Sequence, residues 1–473
     1  MAALTVNDLS NIQGDILING FPKKAEIFCF FTIRAAQAFC QNIQTVANSK
    51  IATGKDIKDL RQQISNSNGI IDVAKTNIAF TSGGLTKLGN ILPSLQSSLN
   101  GLSSSAPSFV GGMQNNSERQ ALGDPVFNGW NLGLNGGGPL DGVLIVAGAN
   151  MNTVQAELND VLRQLNVGGE VVVELFREVG TERASQPGHE HFGFNDGISH
   201  PEVFGINDSP NLNFKLDGVT QPADKSNFVD PGVIVVGRKG DSGTKPQWMN
   251  DGSFLVFRKL EQHVGKWNNF VVNQWKNAGS NGPAQFGAQL MGRWQSGCPI
   301  QLQDQRDDSS LALRNDFDFG GFQQQGKCPL AGHIRKANIR AQFNSSRIMR
   351  RGIPYGTDFQ QGGPDTGRGL LFACYQSSIE NGYRFIQTAW ANDKDFPSPG
   401  AGLDVTIGQG KATDAPSPFQ IGTKSVKINP INDFVTAKGG EYFFAPSMAV
   451  LRAGFNINKV QSTINAGNVQ SNF

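Results

Sequence analysis

The sequence predicts an α+β protein built from two related halves. Three observations predict it. Strand-like apolar runs alternate unevenly with helical patterns, as in sheets carrying helices on one face. A strand-then-helix opening near the start recurs past the middle. The 473 residues also exceed what one hydrophobic core organises, so two domains or one double domain are expected.

Residues 25–33 (AEIFCFFTI) read as a strand and residues 35–46 (AAQAFCQNIQTV) as a helix. The same opening returns at 253–258 (SFLVFR), followed by a helical stretch from about Leu260 to Trp275. Further strand-like runs lie at 142–147, 170–176, 233–236 (VIVV) and 370–375. Helical patterns follow at 153–165 and 378–391; in the second, Ile379, Tyr383, Ile386 and Trp390 fall at helix spacing. The turn-rich stretch at 205–230 marks the expected boundary, giving domains 1–215 and 216–473. Residues 99–117 and 395–418 are rich in Gly, Ser and Pro and read as surface loops.

Composition narrows the function. Gly accounts for 57 of 473 residues, which marks a loop-rich chain. A net charge of +2 supplies no long-range field for nucleic acid, and no run of about 18 apolar residues offers a membrane span. The first residues, MAALTVNDLSNIQG, lack the basic and apolar regions of a signal peptide. This fits either a cytosolic protein or the mature form of a secreted one. Sequons at Asn115, Asn207 and Asn344 lean slightly toward secretion. Cys29, Cys40, Cys298, Cys328 and Cys374 are odd in number and widely spaced, which argues against a disulfide framework or a zinc site. The CxxCH signature of covalent haem is absent, so any haem is expected to be non-covalent.

Three segments hold the chemistry-bearing side chains. Three of the five histidines fall in PGHEHFGFNDGISHPEV, around Asp196. An Asp between glycines reads equally as an Asx turn and as a functional carboxylate. In GKCPLAGHIRKANIR, His333 precedes Arg335, Lys336 and Arg340. It reads either as a half-buried structural histidine or as a ligand beside basic groups that suit anionic partners. In SSRIMRRGIPYG, strand alternation sends Arg350 and Arg351 to opposite sides, so one of them can point into a pocket.

Taken together and in this order, GFNDG (193–197), CPLAGHIRK and RIMRRGIPYG resemble the signature segments of dye-decolourising peroxidases. The resemblance extends to NIQGDIL near the start, LGDP at 122–125, GRGLLFACYQSSIENGYRFIQTAWAN at 367–392 and GLDVTIGQ at 402–409. It spans nearly the whole chain and is nearest the fungal branch.

The resemblance implies duplicated ferredoxin-like domains, each an antiparallel four-stranded sheet flanked by helices. It implies one non-covalent haem b per chain, held in the second domain. His333 is then the axial iron ligand, with an acidic partner on its other ring nitrogen; Asp393 is the candidate partner. Asp196 becomes the acid–base group toward hydrogen peroxide, and Arg350 the stabiliser of developing negative charge, with Arg351 as the alternative if the register shifts by one. His191 is implied at a haem propionate and the peroxide-channel waters, and Leu370 and Phe372 in the apolar pocket wall; Arg335, among the basic residues after His333, suits the propionates by its planar fork. Trp390 and Tyr355 occupy the positions of surface aromatics that pass electrons from bulky dyes; for Trp390, core packing competes with that role.

The expected activity is peroxide reduction coupled to one-electron oxidation of dyes, phenolics and lignin-derived compounds. Expected partners are hydrogen peroxide and aromatic reductants, with no nucleic acid and no membrane, in a monomer or homodimer. The expected compartment is extracellular, with cytoplasmic as the alternative. A non-catalytic haem carrier of the same fold needs neither Asp196 nor Arg350. A cofactor-free α+β protein predicts a colourless preparation. The helical lignin-degrading peroxidases are disfavoured because that class relies on several disulfides.

Overall fold

The computed structural model describes residues 4–18, 20–67, 71–124, 139–206, 215–216, 219–220, 228–321, 323, 326–340, 344–409, 417–421, 424–428 and 434–460. The first half contains β1 (Ala25–Ile33), α1 (Ala36–Ser49), β2 (Ala74–Phe80), β3 (Gly142–Gly148), α2 (Met151–Leu165) and β4 (Val172–Thr181). Its strands pair antiparallel in the order β2-β3-β1-β4.

The second half contains β5 (Ser253–Gln262), α3 (Val264–Ala278), α4 (Pro283–Met291) and the short turn α5 (His333–Lys336). It continues with β6 (Met349–Arg350), β7 (Ile353–Tyr355), β8 (Gly369–Gln376) and β9 (Val435–Ala445). Here β6 and β7 are two pieces of one edge, both paired to β8, and the order runs on through β5 to β9. The strand order of the first half is therefore repeated, which is the duplicated ferredoxin-like arrangement. Strand β9 joins β2 at Phe444–Phe80, so both halves share one nine-stranded sheet.

Both faces of the sheet are covered, and all nine residues of β1 are buried. Alternation along β1 sends Phe28 and Phe30 to one face and Ile27, Cys29 and Phe31 to the other. On the inner face the halves meet: the Phe257 ring lies 4.8 Å from Phe28 and 5.1 Å from Phe30. Burying each such ring contributes about 2 kcal/mol. On the outer face, helix-spaced Phe39, Ile43 and Val46 of α1 and Val154, Leu158, Val161 and Leu165 of α2 pack against the sheet. The Asn150 side chain accepts from Thr153 N at 3.0 Å and caps α2.

Four expectations from the sequence are corrected. VIVV at 233–236 is not a strand. Pro231–Val233 form a 3-10 turn, and Val233, Ile234 and Val235 are buried beside the sheet. A short buried turn and a buried strand carry the same apolar signal. Residues 99–117 are not surface loops throughout: Leu102–Ser105, Pro107–Gly111 and Asn116–Leu122 are helical, and Leu102, Phe109 and Met113 enter the core. The strand opening the second half runs to Gln262, so its helix begins at Val264 rather than near Leu260. The stretch expected to be helical over 378–391 is α-helical only at Tyr383–Phe385 and π-helical over Ile386–Ala391.

Much of the expected boundary region lies outside the described residues, as do Asn207 and Pro125. All five cysteines are buried and free. Among the described residues no helix is long and apolar enough to cross a membrane.

Candidate active site

One cavity opens on the helix-covered face of the second half. Its wall follows from strand alternation. Leu370 and Phe372 of β8 face the cavity, while Leu371 and Ala373 between and beyond them enter the inner core. Their cross-strand partners on β5, Leu260 and Arg258, line it too. The expected places of Leu370 and Phe372 are those observed.

Strand β6 brings Arg350 to the same cavity, where Nη1 donates to Asp196 Oδ1 at 2.6 Å. Arg351 points the other way. Its Nε donates to Asp15 O at 2.6 Å and its Nη1 to Arg350 O at 2.8 Å. The register is thereby fixed, with Arg350 on the cavity side.

Asp196 is held by the loop between Gly193 and Gly197. Their φ values of 91° and 80° lie in the left-handed region, where a side chain is strained. Gly197 N donates to Asp196 Oδ1 at 2.6 Å. Upstream, the buried Glu190 carboxylate accepts from Phe192 N and Phe194 N, both at 2.9 Å, and from Gln262. Burial would push the Asp196 carboxyl up, but Arg350, the Gly197 amide and the nearby His200 hold it down, at about 2. The side chain is therefore a carboxylate across the accessible pH range.

His333 begins α5 and lines the same cavity. Its Nδ1 lies 2.9 Å from Asp404 Oδ2, and the buried Asp404 also accepts from Thr406 N at 2.8 Å and Ile407 N at 2.9 Å. Burial would lower the His333 pKa, yet Asp404 raises it above the usual value. Burial would likewise raise Asp404, and the His333 charge and hydrogen bond with the Ile407 and Thr406 amides bring it below. An imidazole whose Nδ1 is taken by a carboxylate has Nε2 left for a ligand in the cavity.

Asp404, not Asp393, is the partner of His333. The Asp393 carboxylate instead accepts from Asp395 N at 2.8 Å. Asp404 lies within GLDVTIGQ, and its signal was an Asp two residues before a Thr, the pattern of an Asx turn. That pattern fixes the loop but does not say which histidine it meets.

Three further expectations are corrected. Arg335 does not face the cavity. Its side chain is buried, with Nη1 donating to Cys328 O at 2.5 Å and Nη2 to Gly321 O at 2.8 Å. His191 is also off the cavity wall, 4% exposed, with Nε2 2.8 Å from Tyr355 O. Neither surface aromatic is at the surface: Trp390 is 1% exposed and Tyr355 8%. Trp390 is stacked on Phe396 at 5.5 Å and edge-on to Phe385 at 5.4 Å. Its helix-spaced pattern with Tyr383 and Ile386 reported packing.

The cavity fits a haem by the chemistry of its donors. Beside His333, its wall carries Arg258, Arg293, Arg347 and Arg350 among apolar residues such as Phe192 and Phe194. The buried Arg293 Nε has no hydrogen-bond partner among the described residues. Burial, with Arg340 and Arg350 close by, pulls the Arg293 pKa down to about 9. The four arginines outnumber the Glu190 and Asp196 carboxylates of this wall, which suits a ligand that is apolar in its body and anionic at its edge.

The chain is similar to known proteins along most of its length. Residues 11–183 match the family model described as the DyP dimeric alpha+beta barrel domain. Residues 208–397 match the C-terminal domain of Dyp-type peroxidases. A dye-decolorizing peroxidase of Mycetinis scorodonius is 35% identical over 95% of this chain and 88% of its own length. One from Auricularia auricula-judae is 30% identical over 95% of this chain and 87% of its own. Among solved structures, an ancestral D-type dye-decolorizing peroxidase superposes with a TM-score of 0.82 at 36% identity, covering 96% of this chain and 100% of that one. A dye-decolorizing peroxidase in complex with 2,6-dimethoxyphenol superposes with a TM-score of 0.78 at 31% identity, covering 95% of this chain and 99% of that one.

Proposed function

This chain belongs to the dye-decolourising peroxidase family, and we propose that its cavity holds one non-covalent haem b on His333, with Asp196 and Arg350 acting on hydrogen peroxide. It is a hydrogen-peroxide-dependent oxidoreductase that oxidises dyes and phenolics. One observation carries the residue assignment. A carboxylate-backed imidazole and a carboxylate–guanidinium pair converge on the same cavity.

When bound, haem supplies the redox equivalents for splitting peroxide and for one-electron oxidation of aromatic reductants. The chain supplies the rest. His333 offers Nε2 to the iron while Asp404 takes the Nδ1 proton in a hydrogen bond, which makes the imidazole a stronger donor. Asp196 accepts a proton from hydrogen peroxide and returns it to the departing oxygen. Arg350 holds Asp196 in place and stabilises negative charge on that oxygen. Leu370 and Phe372 keep the wall apolar and limit water. The non-catalytic carrier leaves the Asp196–Arg350 pair without a purpose.

Domains 1–215 and 216–473, aromatic reductants of the 2,6-dimethoxyphenol type and an extracellular place of action complete the proposal. The repeated strand order and the complex of a relative support the first two. The slight lean of the sequons supports the third.

The test is stopped-flow mixing of the haem-loaded protein with peroxide. Asp196→Asn is expected to slow the first spectral change by roughly 10²–10⁴-fold. A rate within a few-fold of wild type removes Asp196 from the mechanism.

A further inference from the structure

His333 and Lys336 stand at the two ends of α5 and reach the same downstream segment. His333 Nδ1 meets Asp404 Oδ2 at 2.9 Å. Lys336 is 0% exposed, and its Nζ donates to Gly402 O at 2.6 Å, to Asp393 O at 2.7 Å and to Phe396 O. An ammonium has three N–H donors and no acceptor, so three carbonyls satisfy it completely. All three belong to the loop 393–402, and Gly402 lies two residues before Asp404. This loop has no helix or strand of its own. The ammonium also sits 5.7 Å from the centre of the Phe396 ring, which stacks on Trp390.

We propose that Lys336 is a positioning residue for the His333–Asp404 pair, its ammonium fastening the 393–402 loop so that Asp404 is held against Nδ1. The proposal rests on the reading of His333 as the iron ligand. The reasoning is geometric. One rigid turn carries both the imidazole and the ammonium, and one loop carries both the three carbonyls and the carboxylate. Binding at either end of the turn therefore fixes the other. Without the ammonium, three buried carbonyls lose their donor and repel one another, and the loop opens. The Asp404 carboxylate then drifts from the imidazole, which donates less to iron.

The test uses the ferrous holoenzyme and its iron–imidazole stretching band in resonance Raman spectra. Lys336→Met is expected to shift the band to lower frequency, in the direction of Asp404→Asn, and to speed haem loss to a scavenger about 10-fold. Lys336→Arg keeps the charge and is expected to recover most of both. A Lys336→Met holoenzyme with the wild-type band and wild-type haem retention overturns the proposal. If Lys336→Met does not fold, Lys336→Arg and Lys336→Gln are compared by hydrogen exchange at the Thr406 and Ile407 amides, which donate to Asp404 Oδ1. Faster exchange in Lys336→Gln than in Lys336→Arg supports the proposal, and wild-type exchange in both overturns it. His333→Ala separates the two readings. A band that survives in that variant sinks the ligand assignment, while the exchange measurement still decides the role of Lys336.

Discussion

Arg350 and Arg351 are neighbours in the chain, yet their guanidinium groups lie on opposite sides of the sheet. Arg350 meets Asp196 in the cavity at 2.6 Å, and Arg351 is buried against the main chain of Asp15. The pleat of an extended strand enforces this divergence. One arginine thereby faces the cavity and the other the buried interior, and the two are expected to fail differently.

In the proposed mechanism Arg350→Leu removes the charge that would face the reacting oxygen. The rate of reaction with peroxide is expected to fall by roughly 10²–10³-fold, with the folded protein retained. Stopped-flow rates together with a thermal melt check this. A large loss of melting temperature with little loss of rate argues against it.

Arg351→Met removes donors from Asp15 O and Arg350 O in the buried interior. Unpaired carbonyls of this kind cost about 1–3 kcal/mol each. The expected outcome is a clear fall in the midpoint of urea unfolding.

Asp196 works as a base only when ionised, and its pKa is held at about 2. Activity that depends on it is therefore present throughout the mildly acidic range and is lost only as pH falls toward that value. In Arg350→Leu the main lowering influence is gone and burial pushes the carboxyl up, so the acid limb moves to higher pH. An acid limb near neutrality in the wild-type pH–rate profile for peroxide would contradict the Asp196 assignment.

Asp404→Asn keeps the shape but removes the carboxylate from His333 Nδ1. Partners of this kind are worth about 10–100-fold in metal affinity or activity. Slower reaction with peroxide and weaker haem retention are expected together. Unchanged values of both would mean that the imidazole needs no acidic partner.

Trp390 is 1% exposed and packed in a cluster with Ile339 and Ile386. Trp390→Phe is therefore expected to lower stability by about 1–3 kcal/mol through a packing defect. Turnover of large dyes and small phenols should change in parallel. Selective loss on large dyes would restore a relay role.

Much of the fold was legible because period-2 and period-3.6 patterns are local properties. The strand at 25–33 and the helical pattern at 153–165 match β1 and α2 closely. The stretch VIVV reads as a strand because apolar residues in a buried turn look like a buried strand. Residues 99–117 read as loops because small polar residues mask three short helices that hang from a few core side chains such as Leu102 and Phe109.

Within the site, the glycines at 193 and 197 and the pair Arg350–Arg351 could be read from local rules of backbone freedom and alternation. The partner of His333 could not. Asp393 and Asp404 are both acidic and both downstream, and only the path of the loop through Lys336 brings the second to the imidazole. Arg335 is expected at the cavity because a basic group beside His333 suits an anionic partner, but the tight turn of α5 points it at Cys328 O and Gly321 O.

By itself the sequence determined which residue types were present, their spacing along each element and hence the duplicated α+β pattern with its three chemistry-bearing segments. Tertiary structure alone decided which side chains share the cavity, which aspartate meets the imidazole and whether Trp390 sees solvent. The reason is physical: backbone periodicity follows from neighbours a few residues apart, whereas contact and burial follow from elements that the chain joins across tens or hundreds of positions.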